Sequence, residues 1–347
     1  MTGAVPKAVL YYAKDSVWST SALLALEEKG YGADEVDLRI VELDKGENFA
    51  PSFLRLNPKA TVPTLVVPLQ KTLSEDVESR YKAISESKDI AVFLDKSRSA
   101  LSRTHTTSTA PAPALAPATI AFSAISIAIV DTLHSEQADP ATLKYMSAFD
   151  DDSLRALGKD VLPRLVGKKD ALAQQLSAAE SEEIHISEKV KSFWREKKAA
   201  VEILLQIFTS ADTPSADLDA SAKQRRDEYF QTSKTLWGAT LKEILTKLSK
   251  EMIGPYVLGD QLSIADLHLA PWLARVIDIV GGSDAEDGAA VVAKIEARIG
   301  QGFSLPKDFH TESERQGVTQ AEGQSKLAAF WDAIRERPSW KKVHRQV

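Results

Sequence analysis

The sequence predicts an α/β domain followed by a larger all-α domain, and three observations carry that prediction. Strand-like and helix-like segments alternate from Ala8 to Lys96. A Ser/Thr/Ala/Pro-rich stretch, 97–117, then breaks the pattern, with Ala110-Pro111-Ala112-Pro113-Ala114 near its end. Beyond it, apolar residues recur almost everywhere at helical spacing. A length of 347 residues fits two domains, or one with large additions.

Ala8-Val9-Leu10-Tyr11-Tyr12 reads as a short buried strand. From Ser16 to Gly30 the spacing turns helical, with Ala22, Leu23, Leu24 and Leu26 as a stripe and Gly30 as the stop. Val36 to Leu43 alternates as a half-exposed strand does. Phe49 to Leu56 gives a short helix that Asn57-Pro58 ends. Thr61–Val67 and Tyr81–Ile84 are strands, and Glu86–Lys96 is a helix. This order implies one right-handed crossover and a closing hairpin. After the Pro-rich stretch, expected as a flexible or polyproline-like linker, helices are predicted at about 119–134, 152–180, 182–208, 216–251, 263–280, 286–300 and 324–337.

Composition removes several classes of function. There is no cysteine, which excludes disulfides, thiolate metal sites and cysteine nucleophiles, so any thiol chemistry needs a thiol carried in by a ligand. Six histidines lack the close spacing of a zinc site, and no metal is expected. A net charge of -6, with no basic run interleaved with aromatics, argues against nucleic acid and anionic membranes. The N-terminus lacks a signal-like pattern, and the longest mostly apolar run, Thr119–Val130, is too short to span a bilayer. The expectation is a cytoplasmic protein.

Two segments point to a binding groove. Asn57-Pro58-Lys59-Ala60-Thr61-Val62-Pro63-Thr64-Leu65 places a proline where a central strand would lose a backbone donor, so Pro63 marks a strand start or an edge. Glu86-Ser87 opens the apolar run Ile90–Leu94 and sets a carboxylate, a hydroxyl and free amides at a helix N-terminus. One half offers strand-edge backbone to an extended peptide, and the other a place for a small charged group.

This element order, with Val62-Pro63 and Glu86-Ser87, resembles the glutathione transferase superfamily. A second match lies in Gly254-Pro255-Tyr256-Val257-Leu258-Gly259-Asp260-Gln261-Leu262-Ser263-Ile264-Ala265-Asp266-Leu267, where Ser263 caps a helix and Asp266 reciprocates three residues on. Arg337-Pro338-Ser339-Trp340 resembles the family's final turn. The resemblance implies a thioredoxin-like glutathione-binding domain at 1–97, a linker at 98–118 and an all-α domain at 119–347, with an insertion around 150–215. Pro68–Arg80 and Lys96–Ala216 exceed the usual pattern, which suggests an unusual or fungal-type class.

The resemblance further implies glutathione as co-substrate, with its thiol pKa lowered for transfer to a small hydrophobic electrophile by conjugation, ether cleavage or peroxide reduction. A detoxifying cytoplasmic homodimer is the corresponding expectation. The alternative is a related binding, regulatory or ligand-carrier protein with weak catalysis, since a fold alone does not fix activity. Tyr12-Ala13-Lys14-Asp15-Ser16 resembles the serine-type classes. Ser16 is therefore the candidate activator, and the same position also suits a plain helix cap. Ser19 and Tyr11 are the substitutes. Val62, before a cis Pro63, would pair its backbone with the cysteinyl unit. Glu86 would meet the γ-glutamyl ammonium, the Ser87 amide its carboxylate, and Lys59 the glycyl carboxylate. Trp18, the Thr119–Val130 helix and the region of Trp272 could line the electrophile pocket.

Overall fold

A mixed four-stranded sheet forms first, in the order β2-β1-β3-β4, from β1 (Ala8–Tyr12), β2 (Val36–Ile40), β3 (Thr64–Pro68) and β4 (Tyr81–Ile84). The computed structural model describes residues 7–68, 81–99, 107–310 and 323–344, so the long segment after Pro68 lies outside the described residues. β1 runs parallel to β2 and antiparallel to β3, with Leu10 opposite both Leu38 and Leu65. Parallel neighbours need a crossover, and helix α1 (Val17–Glu28) supplies it. β4 returns antiparallel on β3. Helix α2 (Pro51–Leu54) precedes β3, and α3 (Ser87–Ser97) follows β4 and packs against α1. The expected order is present, thioredoxin-like, with ends moved by a few residues. β2 departs most: as an edge strand it buries Val36 and leaves Leu38 and Ile40 exposed, instead of alternating.

The Pro-rich stretch is not a flexible linker where it is described. Residues 107–118 form no regular element, yet they are strapped down. The buried pair Lys29 Nζ–Asp95 Oδ1, 2.9 Å, anchors them. Lys29 also donates to the Pro113 carbonyl, and the Asp95 carboxylate accepts from the amides of Leu115 and Ala116. Removing either buried charge would strand the other. Composition cannot show this, because the partners lie upstream.

The remainder is helical: α4 (Ile120–Leu133), α5 (Pro140–Tyr145), α6 (Asp151–Glu180), α7 (Glu188–Phe208), α8 (Ala220–Thr235), α9 (Lys242–Glu251), α10 (Ile264–Ile279), α11 (Gly288–Ile299), α12 (Lys326–Arg335) and α13 (Pro338–His344). The run expected as one helix at 216–251 is α8 and α9 joined through a wider π turn at Leu236–Leu241. α10 is the central post. Ser263 and Asp266 cap it reciprocally, and Asp266, fully buried, also accepts from the Val257 amide at 2.7 Å. Among the described residues no helix is long and apolar enough to cross a membrane.

The α6–α7 pair has two apolar contacts, and these decide its position. Leu154, Val161 and Leu165 pack with Val201, Phe208 and Tyr229 inside the helical domain. Further along, Leu172, Ala179 and Trp194 pack onto Phe49, Leu54 and Ala60 of the sheet domain. The Trp194 indole donates to the Phe49 carbonyl at 3.1 Å. Two glycines allow the approach. A Cβ on Gly46, whose φ is +67°, would lie 2.4 Å from Ala171 Cβ, and one on Gly167 would lie 2.4 Å from the Asp44 carbonyl. Helix α6 therefore lies directly on the loop between β2 and α2.

Candidate functional site

Ser16 stands where β1 turns into α1. Its backbone is extended and its Oγ accepts from the Ser19 amide at 3.2 Å, so it is the N-cap. That bond uses a lone pair and leaves the hydroxyl proton available. Ser16 is half-buried and lines a cavity of about 490 Å³, together with Trp18, Asn48, Arg164, Lys168 and Arg275. Ser19 is fully buried and its Oγ accepts from the Ala13 amide, which fixes the turn from within. Tyr11 is half-buried, set edge-on against Phe53, with its hydroxyl accepting from Arg39. Neither substitute lines this cavity.

The second half lies across β3 and α3. Asn57, fully buried, organises the loop: its Nδ2 donates to Thr61 O, Thr61 Oγ1 and Thr64 Oγ1, and its Oδ1 accepts from the Lys59 amide. Ala60 takes a left-handed φ of +55°, and the Val62–Pro63 bond is cis, as the motif implies. Glu86 is the N-cap of α3 but makes no side-chain cap bond, and Ser87 begins the helix buried. The Glu86 carboxylate instead meets Lys59 Nζ at 2.5 Å. These two had been expected at opposite ends of an extended tripeptide, which spans roughly 10 Å at about 3.3–3.6 Å per residue. The structure sets them side by side as an exposed ion pair.

A seam joins the halves. The Trp18 ring stacks on His134, centroids 3.8 Å apart. His134 Nε2 and Ser21 Oγ each lie 3.1 Å from His268 Nδ1. Burial, and then the nearby charge of Lys88, pulls the His134 pKa down to about 4. Trp272 is fully buried and donates to the Ala138 carbonyl, so it belongs to the core and not to a pocket.

The sequence reading missed the cavity's helix-side wall. Arg164 on α6 pairs with Asp15, with Asp160 at 3.2 Å and with Asp44 at 3.9 Å. Lys144 pairs with Asp160 at 2.6 Å. Lys14, Lys168 and Arg275 also line the cavity, and none has a carboxylate partner within 4.0 Å among the described residues; Arg275 donates to the Asp15 carbonyl. Arg164 and Lys168, four apart on one helix, are legible as a basic stripe, but nothing local says what that stripe faces.

Two domain models match in order. The N-terminal domain of glutathione S-transferase matches residues 15–97, and its C-terminal domain matches 223–294. With both domains in sequence on the observed fold, the chain belongs to the glutathione transferase superfamily. Residues 98–222, which include α4 to α7, lie between the matches. Among solved structures the chain is similar to glutathione transferase Omega 3C from Trametes versicolor at 18% identity, covering 98% of this chain and 85% of that one, with a TM-score of 0.44. Glutathione transferase F2 from Populus trichocarpa matches at 15%, covering 98% of each chain, with a TM-score of 0.42. Gtt2 from Saccharomyces cerevisiae matches at 16%, covering 96% of this chain and 99% of that one, with a TM-score of 0.41.

Proposed function

We propose that the protein is a glutathione transferase that binds glutathione, lowers its thiol pKa and delivers the thiolate to a small hydrophobic electrophile. The observation that carries this reading is Ser16: a capping hydroxyl, half-buried in a cavity wall, whose proton meets no acceptor among the described residues. A thiolate placed there gains a charge-assisted hydrogen bond and the positive end of α1. Val62, Pro63, Glu86 and Ser87 form the peptide-binding side, where the loop of Asn57 and the N-terminus of α3 present backbone and charge. The reading takes 1–97 as the glutathione-binding domain, 98–118 as its connection and 119–347 as the helical domain, in a serine-type cytoplasmic enzyme of detoxifying role. It also takes a homodimer, for which Ile120, Phe122 and Ile127 leave an apolar, exposed stretch on α4. Sedimentation velocity at micromolar concentration reads the dimer, and a monomer alone would remove it.

The direct test of the chemistry is the thiolate absorbance of bound glutathione titrated against pH. A hydrogen bond to a charged group is worth about 1.5–3 kcal/mol, so Ser16→Ala should raise the thiol pKa by roughly 1–2 units and slow conjugation near neutral pH. Glutathione affinity should change little. An unchanged midpoint leaves Ser16 as a helix cap and favours a binding protein with weak turnover.

A further inference from the structure

Asp15 immediately precedes Ser16, and it is held from outside its own domain. Within the turn, the Ser16 amide donates to the Ala13 carbonyl, the Ala13 amide to Ser19 Oγ and the Ser19 amide to Ser16 Oγ, each at 3.2 Å. None of these bonds fixes Asp15. Its polar groups reach instead to the helical domain. The carbonyl accepts from Arg275 Nη2 of α10 at 2.9 Å, and the carboxylate pairs with Arg164 Nη1 of α6.

Arg164 is itself fixed by more than Asp15. Its Nε lies 3.2 Å from Asp160 and 3.9 Å from Asp44, and Lys144 of α5 holds Asp160 in turn at 2.6 Å. Asp44 belongs to the loop after β2, and its carbonyl lies so close to α6 that a Cβ on Gly167 would come within 2.4 Å of it. A planar guanidinium with its donors in a rigid fork can meet several carboxylates and fix an angle between them, which a single ammonium cannot. One side chain of α6 thus ties together the two loops that flank Ser16. The Arg164 and Asp15 side chains are 32% and 54% exposed, so their pair adds little to global stability. What it sets is position. A hydrogen bond weakens steeply with angle and distance, so a shift of about 1 Å in this turn decides whether the Ser16 hydroxyl meets a sulfur.

We propose that Arg164 is a positioning residue for Ser16, acting through Asp15. This rests on the reading of Ser16 as the group that activates the thiol. It makes α6, which neither matched domain contains, part of the machinery that aims the hydroxyl.

The test is the thiolate absorbance of glutathione bound to the intact chain, titrated against pH in a small set of variants. Arg164→Met should raise the thiol midpoint by roughly 0.5–1 unit and cut the thiolate fraction below it about three- to tenfold. Asp15→Ala should raise it as well, and the double variant should go no further than either single one, because both remove the same contact. Acting through space, the two charges would work in opposite directions: loss of the cation would raise the midpoint, and loss of the carboxylate would lower it. A shared direction is therefore the mark of positioning, and loss of stability alone would not move the midpoint. In a Ser16→Ala background, Arg164→Met should be silent. Opposite shifts, no shift in either single variant, or an Arg164→Met effect that persists without the Ser16 hydroxyl each overturn the assignment while Ser16 keeps its role. If Ser16→Ala itself leaves the midpoint unchanged, the reading of Ser16 falls and this assignment falls with it.

Discussion

The two walls of the cleft are built on different principles. On the sheet side the polar groups satisfy one another over short distances in the chain. Asn57 holds Thr61 and Thr64 within seven residues, and Lys59 closes with Glu86. On the helix side the supports are distant. Arg164 reaches Asp15 across 149 positions, Arg275 reaches the Asp15 carbonyl across 260, and Trp194 reaches Phe49 across 145. Both walls leave cations lining the cavity without a carboxylate within 4.0 Å among the described residues: Lys14 on the sheet side, Lys168 and Arg275 on the helix side. The open cations are thus spread over the sheet domain, α6 and α10, and only Lys168 lies between the two matched domains.

The sharpest way to break that contrast is a matched pair of variants. Trp194→Ala removes a fully buried aromatic and its hydrogen bond where α7 rests on the sheet domain, and should cost about 3–5 kcal/mol. Asn57→Ala strands hydroxyl, carbonyl and amide groups inside one loop and should cost less, about 1–3 kcal/mol. Urea denaturation gives both values. If Asn57→Ala proved the more damaging, the long-range docking of α7 would be a minor support and the contrast would dissolve.

A smaller effect tests the seam between the walls. His134 has its pKa lowered to about 4 by burial and then by Lys88, against an ordinary value near 6.5. Folded, it stays neutral over that interval while the unfolded chain takes up a proton. Stability should therefore be full above about pH 6.5 and fall as the pH drops toward 4. His268 is shifted the same way and adds to the slope. Urea midpoints measured across pH 4–7 should show the decline, and His134→Gln should flatten part of it. An unchanged slope would place the titration elsewhere.

What was legible in the sequence follows the same division. The strand and helix order, the cis Val62–Pro63 turn and the Ser263–Asp266 cap could be read because the groups that enforce each one lie within a few residues of it. The capping position of Ser16 could be read for the same reason, since a cap is a local device. The Lys59–Glu86 pair could not be read, because its two members lie 27 residues apart on different elements. The stretch 97–117 reads as flexible or polyproline-like, and its anchoring could not be read because Lys29 and Asp95, which strap its described part down, stand outside it. Asn48 and Arg275 carry no local mark at all, and nothing local says what the stripe of Arg164 and Lys168 faces. Their place in the cavity comes from α6 packing on the loop after β2 and α10 packing on α1.

The bond from the Trp194 indole to Phe49 also has a consequence for how the chain is made. At about 5–20 residues per second, a ribosome needs roughly 7–30 s to add the 145 residues that separate the two. Once α3 has been added the sheet domain is complete, yet for the rest of that interval Phe49, Leu54 and Ala60 wait without Trp194. The nascent protein carries an apolar face toward solvent until its own α7 arrives. A message truncated near residue 180 should therefore yield a product that depends on chaperones, although every residue of the sheet domain is present.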